Sequence, residues 1–333
     1  MSVQQVTELS VAQLGPGDRL GPYELLCAVA QGGMARVWAA RHHPSGQIVA
    51  VKTIRPELAT NAMYCSLFVD EARYASQVSH PNVCQVYGLG NERGVLYIAM
   101  EWVHGESLAR LLKPNKGDTP RPLPPRIAAR LVADACEALH AAHELRDENG
   151  RHIKLVHCDV SPQNLLLTTV GTLKLVDFGV AQSAAAQDPR QGPQSRPNGK
   201  AAYMAPEQAT GARISRMSDV FVLGVCLYEL STSKRPFATG SWDATIERLK
   251  EHDFAPPTDV VADYPSLLER IVLRAMARGS AFRYPSAQRM GAALDDWLRR
   301  SGPPVTADEL TALLEERAGE IVRQREAKIV GHP

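Results

Sequence analysis

The chain has 333 residues, with 37 lysines and arginines against 36 aspartates and glutamates, a formal net charge of 37 − 36 = +1. This length allows about two domains or one large bilobed unit. Hydrophobic residues make up 44% and charged residues 22% of the chain, which is ordinary globular usage and excludes whole-chain disorder. The near-zero net charge gives no global argument for nucleic acid or a membrane surface as a partner, so neither is expected.

The distribution of cysteines and apolar residues bears on the compartment. The six cysteines are scattered without a C-x-x-C pair, and Met1–Ser10 lacks a basic stretch followed by an apolar run. The longest apolar run, Val220–Tyr228, is about half of the ~20 residues that cross a bilayer. We therefore expect a cytoplasmic protein with reduced thiols.

The part of the chain up to Met100 is rich in short β-type runs. A polar leader at 1–18 ends in a turn cluster, and five strands and one helix are predicted after it. The strands are Tyr23–Ala28, Arg36–Ala40, Ile48–Ile54, Gln85–Gly88 and Val95–Met100, and the helix is Asn61–Val78. The pattern is typical of an antiparallel sheet accompanied by a single helix.

The following part of the chain, 104–300, is mostly helical in pattern. Its predicted features are a proline-rich loop at 113–125, a helix from Pro125, a turn at Glu148–Gly150 before a short strand at Lys154–Val156, and a low-complexity loop at 181–199. The two textures together predict a small β-rich lobe and a larger helical lobe.

The tail is predicted to be helical. Thr306–Glu309 has the pattern of a capping box, and apolar residues at helical spacing follow it: Leu310, Leu313, Leu314 and Ile321. Packing of this helix on the helical lobe is the common outcome. Docking of a regulatory partner is the alternative.

Two residues of the β-rich part suggest phosphate binding. Lys52 emerges from the apolar residues Val49–Val51 of a predicted strand, where it needs an anion or bears a desolvation cost. Glu71 on the next helix could pair with it. Gly32 and Gly33 lie between two strands, where backbone amides could approach a phosphate. Taken singly, each feature also fits an ordinary surface lysine, an exposed helix glutamate or a plain hairpin turn.

A second group of polar residues lies in the helical part. Asp159 and Asn164 share a short loop, and Asp177 follows the next apolar run. Side-chain oxygens such as those of Asn164 and Asp177 suit Mg²⁺ when phosphates and water complete its shell. Asp159 could accept a proton from a substrate hydroxyl.

The motifs in order resemble those of the eukaryotic-like protein kinase family, above all its bacterial serine/threonine branch. They are V-A-V-K at 49–52, the helix glutamate at 71, H-C-D at 157–159 with an asparagine at 164, D-F-G at 177–179 and A-P-E at 205–207. The resemblance extends from about Leu20 to Trp297. It implies a bilobal α+β fold, with a leader at 1–18, an antiparallel β-rich N-lobe at 19–103, a mainly helical C-lobe at 104–300 and a helical tail at 301–333.

The resemblance also implies the reaction and the residues that serve it. ATP would be the donor, Mg²⁺ or Mn²⁺ the metal, and serine or threonine hydroxyls of proteins the acceptors. Lys52, held by Glu71, would contact the phosphates, Asp159 would act on the hydroxyl, and Asn164 and Asp177 would hold the metal. The nucleotide would further contact Val29, Ala30, Gly32, Gly33, Val37, Ala50, Met100, Glu101 and Val103. Glu207 and Arg283 would form a buried ion pair in the C-lobe.

The chain departs from the family pattern at several positions. Ala30 and Ala35 replace glycines of the phosphate loop, which predicts weaker ATP binding, because alanine is costly wherever φ must be positive. Cys158 replaces the arginine that in the family binds the phosphate of a phosphorylated activation loop. The corresponding segment of this chain, 178–206, contains no threonine. These two features together predict activity that does not depend on phosphorylation of this loop.

A lysine and a hydroxyl residue also exchange places. Ser161 stands where the family has a lysine, and Lys200 stands where it has a threonine. One hypothesis is that Lys200 supplies the positive charge near the transferred phosphoryl group; the alternative is a solvent-facing lysine.

Two other functions compete with catalysis on proteins: a pseudokinase scaffold, favoured by the altered glycines and H-C-D, and a small-molecule kinase, which would not need the peptide-groove segment 203–207.

Overall fold

The computed structural model describes residues 14–113, 119–178 and 201–331. These residues form two compact units. The first, called the β unit, contains residues up to Gln77, Cys84–Val103 and the chain from Glu320 onward. The second, called the helical unit, contains Val78–Val83 and His104–Gly319. Most of the predicted leader, the loop at 181–199 and Lys200 lie outside the described residues.

The β unit is built on a six-stranded antiparallel sheet with the order β1-β2-β3-β4-β6-β5. The strands are β1 (Arg19–Leu20), β2 (Tyr23–Gln31), β3 (Ala35–His42), β4 (Ile48–Ile54), β5 (Val86–Glu92) and β6 (Val95–Glu101). Leu25, Trp38, Val49, Val51 and Val95 form the core of one face, all nearly inaccessible to solvent. Burial of such side chains contributes about 1.5–3 kcal/mol each and holds the strands in register.

Strand β5 runs further than the predicted Gln85–Gly88. It continues through Gly90 because the ring of Tyr97, on the neighbouring strand, fills the space that a Cβ at this position would need. Glycine, usually a weak strand residue, is here the residue that allows the two strands to pair.

One helix, α1 (Ala62–Ala75), accompanies the sheet in the β unit. Asn61 caps it, because its Oδ1 accepts hydrogen bonds from the amides of Met63 and Tyr64. The buried face of α1 contains Leu67, Phe68, Glu71, Ala72 and Ala75, so one acid lies among apolar side chains.

The helical unit begins with a three-stranded sheet of order β7-β8-β9 and continues as helices. The strands are β7 (Gly105–Ser107), β8 (Leu165–Thr168) and β9 (Leu173–Leu175). The helices are α2 (Leu108–Leu111), α3 (Pro125–His143), α4 (Pro206–Thr210), α5 (Arg216–Thr232), α6 (Trp242–Glu251), α7 (Pro257–Val260), α8 (Ser266–Ala275) and α9 (Ala287–Arg300). Helix α5 is buried along nearly its whole length and forms the centre of this unit.

The predicted strand at Lys154–Val156 is wrong. The turn before it is present, with the Gly150 amide bonded to the Asp147 carbonyl, but strand pairing is limited to one bridge between Arg146 and His152. Lys154 has a φ of 58°, and a left-handed residue breaks the extended conformation that a strand requires.

The tail helix, α10 (Ala307–Val330), begins at the predicted capping box. The Glu309 amide donates to Thr306 Oγ1, and the Thr306 amide donates to Glu309 Oε2. Its first part belongs to the helical unit, where Leu310, Leu313 and Leu314 are buried. Its last turns belong to the β unit, a location that the sequence did not predict. The apolar stripe is thus covered by the chain itself.

Within residues 14–113, 119–178 and 201–331, no helix combines the length and apolarity needed to cross a lipid bilayer.

Candidate active site

A buried ion pair connects β4 to α1 in the β unit. Lys52 Nζ lies 2.6 Å from Glu71 Oε1, and both side chains are about one-tenth exposed. Strand β4 directs Lys52 away from the apolar core because alternate residues of a strand face opposite sides. The pairing expected from the sequence is therefore present, with a charge-assisted bond that fixes the ammonium group.

One face of the sheet contains several of the predicted nucleotide contacts. Val37 pairs with Lys52, and Ala39 pairs with Ala50, so these four residues share a face. Met100 is paired with Ala50 at the end of β6. The β unit thus brings Val37, Ala50, Lys52 and Met100 together around small and apolar side chains.

The hairpin between β2 and β3 contains the altered glycine positions. The Gly32 amide donates to the Ala35 carbonyl, which closes the turn. Neither Ala30 nor Ala35 is among the described residues with positive φ. The expected conformational cost of alanine at these two positions is therefore wrong, because both adopt backbone angles that any residue tolerates.

The short loop 159–164 of the helical unit, called the catalytic loop, is held together by Asn164. Its Nδ2 donates to the Asp159 carbonyl at 2.8 Å and to Asp159 Oδ2 at 2.9 Å. These two bonds fix the orientation of the Asp159 carboxylate. They also turn the Asn164 carbonyl oxygen, Oδ1, away from Asp159.

The residues suggested for the metal fit a divalent cation that also binds phosphates. Asn164 and Asp177 offer oxygen donors, the type that Mg²⁺ prefers, and the Val176 amide is bonded to the Asn164 carbonyl, which keeps the two segments together. In the part of the chain that the structure describes, no group of three or more His, Cys, Asp or Glu side chains could hold a metal by itself. The phosphate oxygens of a nucleotide would supply the further ligands.

His157 packs behind the catalytic loop. Its ring lies 4.8 Å from the ring of Phe178, measured between centroids. Its Nδ1 accepts from the Asp159 amide, and its Nε2 donates to the Val176 carbonyl. This arrangement requires the neutral ring, and desolvation indeed lowers the pKa of His157.

Asp219 anchors the backbone of the H-C-D segment from helix α5. Its Oδ1 accepts from the Cys158 amide, and its Oδ2 accepts from the His157 amide and from His143 Nε2. Burial alone would raise the pKa of Asp219, but these bonds outweigh it and hold the pKa below its usual value. Cys158, with a φ of 63°, is kept in a left-handed conformation by this anchor.

The A-P-E segment and the preceding Tyr203 are fixed by two groups of charges. Glu207 Oε1 lies 2.7 Å from Arg283 Nη1, the pair expected from the sequence, and also accepts from Ser218 Oγ. In the second group, the Tyr203 hydroxyl donates to Glu229, and Arg235 both bonds Glu229 and lies over the Tyr203 ring. Desolvation and the Glu229 charge raise the pKa of Tyr203 far above its usual value.

Three contributors to the site were missed in the sequence: Asp219, Glu229 and Arg235. Asp219 opens the apolar run Val220–Tyr228, and an acid heading such a run is a usable indication that it has internal partners. Glu229 and Arg235 resemble ordinary helix-end charges in the sequence. The hypothesis that Lys200 supplies a positive charge near the transferred phosphoryl group concerns a residue outside the described part of the chain.

The chain matches one family model over most of its length. The protein kinase domain family matches residues 23–277. The chain is 37% identical over 304 residues to the tyrosine-protein kinase MasK of Myxococcus xanthus, covering 90% of this chain and 46% of that protein. It is 33% identical over 308 residues to the serine/threonine-protein kinase PknB of Mycobacterium tuberculosis, covering 90% and 47%. The chain thus spans about half the length of the curated relatives it matches.

The fold itself is similar to that of a solved structure. The PknI kinase domain of Mycobacterium tuberculosis matches with a TM-score of 0.64 and 23% identity, covering 85% of this chain and 98% of that one. At this identity the likeness concerns the fold alone.

Proposed function

The chain belongs to the eukaryotic-like protein kinase family of bacteria, and from this membership we propose that it transfers the γ-phosphoryl group of ATP to serine or threonine hydroxyls of proteins, with Mg²⁺. The observation that carries the proposal is the pair of hydrogen bonds from Asn164 to Asp159. These bonds fix the Asp159 carboxylate and direct the Asn164 side-chain oxygen away from Asp159. The protein is proposed to act in the cytoplasm, where ATP is available.

Each residue then has a task in the reaction. Lys52, oriented by Glu71, binds the phosphates of ATP, and Asp159 orients the acceptor hydroxyl and receives its proton as the new phosphate ester forms. Asn164 and Asp177 would hold Mg²⁺, which when bound would neutralise phosphate charge and align the transferred group. As the ester bond forms, the bond between the γ-phosphorus and the β–γ bridging oxygen breaks, and ADP leaves with the negative charge on that oxygen.

The central test compares the wild type with Asp159→Asn in the presence of Mg²⁺-ATP. The variant keeps the size of the side chain but cannot accept the proton, so we expect phosphorylation to fall by about 10²–10⁴-fold while nucleotide binding persists. Phosphopeptide mapping and titration with a non-hydrolysable ATP analogue measure the two quantities. Equal phosphorylation by both proteins would contradict the assigned role.

The rival function is that of a pseudokinase scaffold. The altered glycines and Cys158 suggested it, but Ala30 and Ala35 adopt unstrained conformations, which removes one argument for impaired nucleotide binding. Absence of phosphorylation by the wild type, with nucleotide binding retained, would favour the scaffold.

The acceptor hydroxyl needs its own test, since one relative is named a tyrosine kinase and another a serine/threonine kinase. Analysis of phosphoamino acids after reaction with Mg²⁺-ATP distinguishes them. We expect phosphoserine and phosphothreonine; phosphotyrosine alone would overturn this part of the proposal.

We further propose that activity is independent of activation-loop phosphorylation. Cys158 cannot bind a phosphate as arginine does, and the A-P-E segment is held by Arg283 and by the Tyr203–Glu229 bond, neither of which involves a phosphate. Treatment of active protein with a phosphatase should leave the turnover within about twofold of its initial value, because no phosphate supports the site. A loss of activity traced to Ser183 or Ser195 would contradict this.

A further inference from the structure

The end of helix α10 contacts a specific part of the β unit. Ile329 is only 4% exposed and packs against Leu26 of β2 and Ala39 of β3. Partly buried side chains surround this contact: Cys27, Val29, Ile48 and Trp102. The side chain of Ile329 therefore packs on the sheet, although its neighbours Lys328 and Val330 are exposed.

The face that Ile329 covers is the face assigned to the nucleotide. Ala39 is the register partner of Ala50, and Ile48 lies two residues before Ala50, so both face the same side as Lys52. Val29 is itself a predicted nucleotide contact. Trp102 lies between Glu101 and Val103, two predicted nucleotide contacts, and these three residues are called the hinge.

Basic residues next to Ile329 are also close to this region. Lys328 and Arg325 stand near enough to Cys27 to act on its thiol, although desolvation is the larger influence and raises the pKa of Cys27. Residues over little more than one turn of the helix end, from Arg325 to Ile329, therefore lie close to β2.

The beginning of the same helix is fixed independently within the helical unit. Arg317 Nη1 donates to the carbonyls of Leu111 and Arg121, and Nη2 donates to the carbonyl of Pro122. Helix α10 runs without interruption from Ala307 to Val330, so Ile329 lies on a regular helix and not on a loose terminus.

We propose that Ile329 is a positioning residue for the nucleotide site: by packing on β2 and Trp102 it holds Val29 and the hinge in the conformation that binds the adenine base. Ile329 does not touch the nucleotide. The inference rests on the proposed function, because it assumes that ATP binds to this face of the sheet.

Two neighbouring residues provide a matched test. Ile329 is buried and Val330 is 82% exposed, so Ile329→Asp and Val330→Asp add the same charge one residue apart in opposite environments. We expect Ile329→Asp to raise the Kd of an ATP analogue and the KM for ATP about tenfold, equivalent to about 1.4 kcal/mol. The kcat at saturating ATP should change less than twofold. Val330→Asp should match the wild type, and the conservative Ile329→Val should restore most of the affinity.

Hydrogen exchange of the β2 and hinge amides supplies a readout that does not depend on catalysis. Without nucleotide, these amides should exchange faster in Ile329→Asp than in Val330→Asp, while amides of α5 exchange equally in both. Equal nucleotide affinity and equal exchange in the two variants would overturn the proposal. A wild type that binds nucleotide but phosphorylates nothing would refute the kinase activity alone. If Ile329→Asp does not fold, Ile329→Ala against Val330→Ala makes the same comparison.

Discussion

At the scale of single residues, Asp219 has the largest structural task outside the reacting groups. Three donors converge on its carboxylate, and two of them are the backbone amides of His157 and Cys158. Hydrogen bonds from three donors offset most of the desolvation cost of burying this carboxylate. Removal of its charge would leave those donors poorly paired.

We predict that Asp219→Asn lowers the free energy of unfolding by about 3–5 kcal/mol at pH 7, because the new amide group faces hydrogen-bond donors. Chemical denaturation measures the loss. Asp296→Asn, whose carboxylate is about half exposed, is the control and should change stability by less than about 1 kcal/mol.

The same carboxylate predicts a pH dependence. The pKa of Asp219 in the folded protein lies below the usual value of about 4, so its contribution is complete above that pH and is lost as the pH falls through the folded-state pKa. The wild type should therefore lose stability more steeply than Asp219→Asn as the pH is lowered from about 5 to 3. Parallel pH profiles would contradict this.

At the scale of secondary-structure elements, the start of α10 depends on a glycine in the turn between β8 and β9. Gly171 has a φ of 76°, and a Cβ at this position would lie 2.5 Å from the Ala307 carbonyl oxygen. Gly150 has nearly the same φ of 75°, with nothing within 4 Å of such a Cβ. An alanine at either position would have the same backbone strain, but only an alanine at position 171 would also clash with neighbouring atoms.

We predict that Gly150→Ala costs about 1 kcal/mol, the penalty of a left-handed alanine, because nothing obstructs its methyl group. Gly171→Ala should cost at least about 2 kcal/mol more, since the methyl must displace the backbone at the start of the tail helix. Thermal and chemical unfolding compare the two variants. Similar losses for both would show that the Ala307 contact is unimportant.

The elements also show what a sequence can and cannot predict. Strand Ile48–Ile54 was predicted with its observed bounds, because β-branched residues alternate there until the chain turns. Lys52 and Glu71 were predicted as a pair because each is a charge in an apolar setting. Lys154–Val156 has strand composition, yet Lys154 has a positive φ, which local propensity does not predict.

Long-range contacts account for most of the remaining differences. Asp219 lies 62 and 61 residues from the two amides that it binds, so its role depends on the complete helical unit. The stripe on α10 indicates that the helix is covered by something, but only the structure identifies Leu26 and Ala39 as the cover for Ile329. A hydrophobic pattern specifies a face and leaves its partner open.

At the scale of the whole molecule, the cysteines provide probes of folding. Cys136 on α3 and Cys226 on α5 are fully buried, and burial raises the pKa of both thiols well above the usual value. Cys65, on α1 in the β unit, is partly accessible. Because thiolates are the reactive form, the buried pair should be inert in the native protein.

We predict that a thiol reagent at pH 8 modifies Cys65 readily, whereas Cys136 and Cys226 react only as the helical unit unfolds. Mass spectrometry of quenched samples over a denaturant series identifies the sites. The reaction of Cys136 and Cys226 should follow the loss of α5 structure measured by hydrogen exchange. Rapid native modification of either residue would show that the unit opens more easily than its packing indicates.

The left-handed backbone at Cys158 is held from outside its own loop. Asp219 accepts hydrogen bonds from the amides of His157 and Cys158, and every residue type except proline supplies such an amide. This anchor of the H-C-D segment therefore does not depend on which side chain stands at position 158.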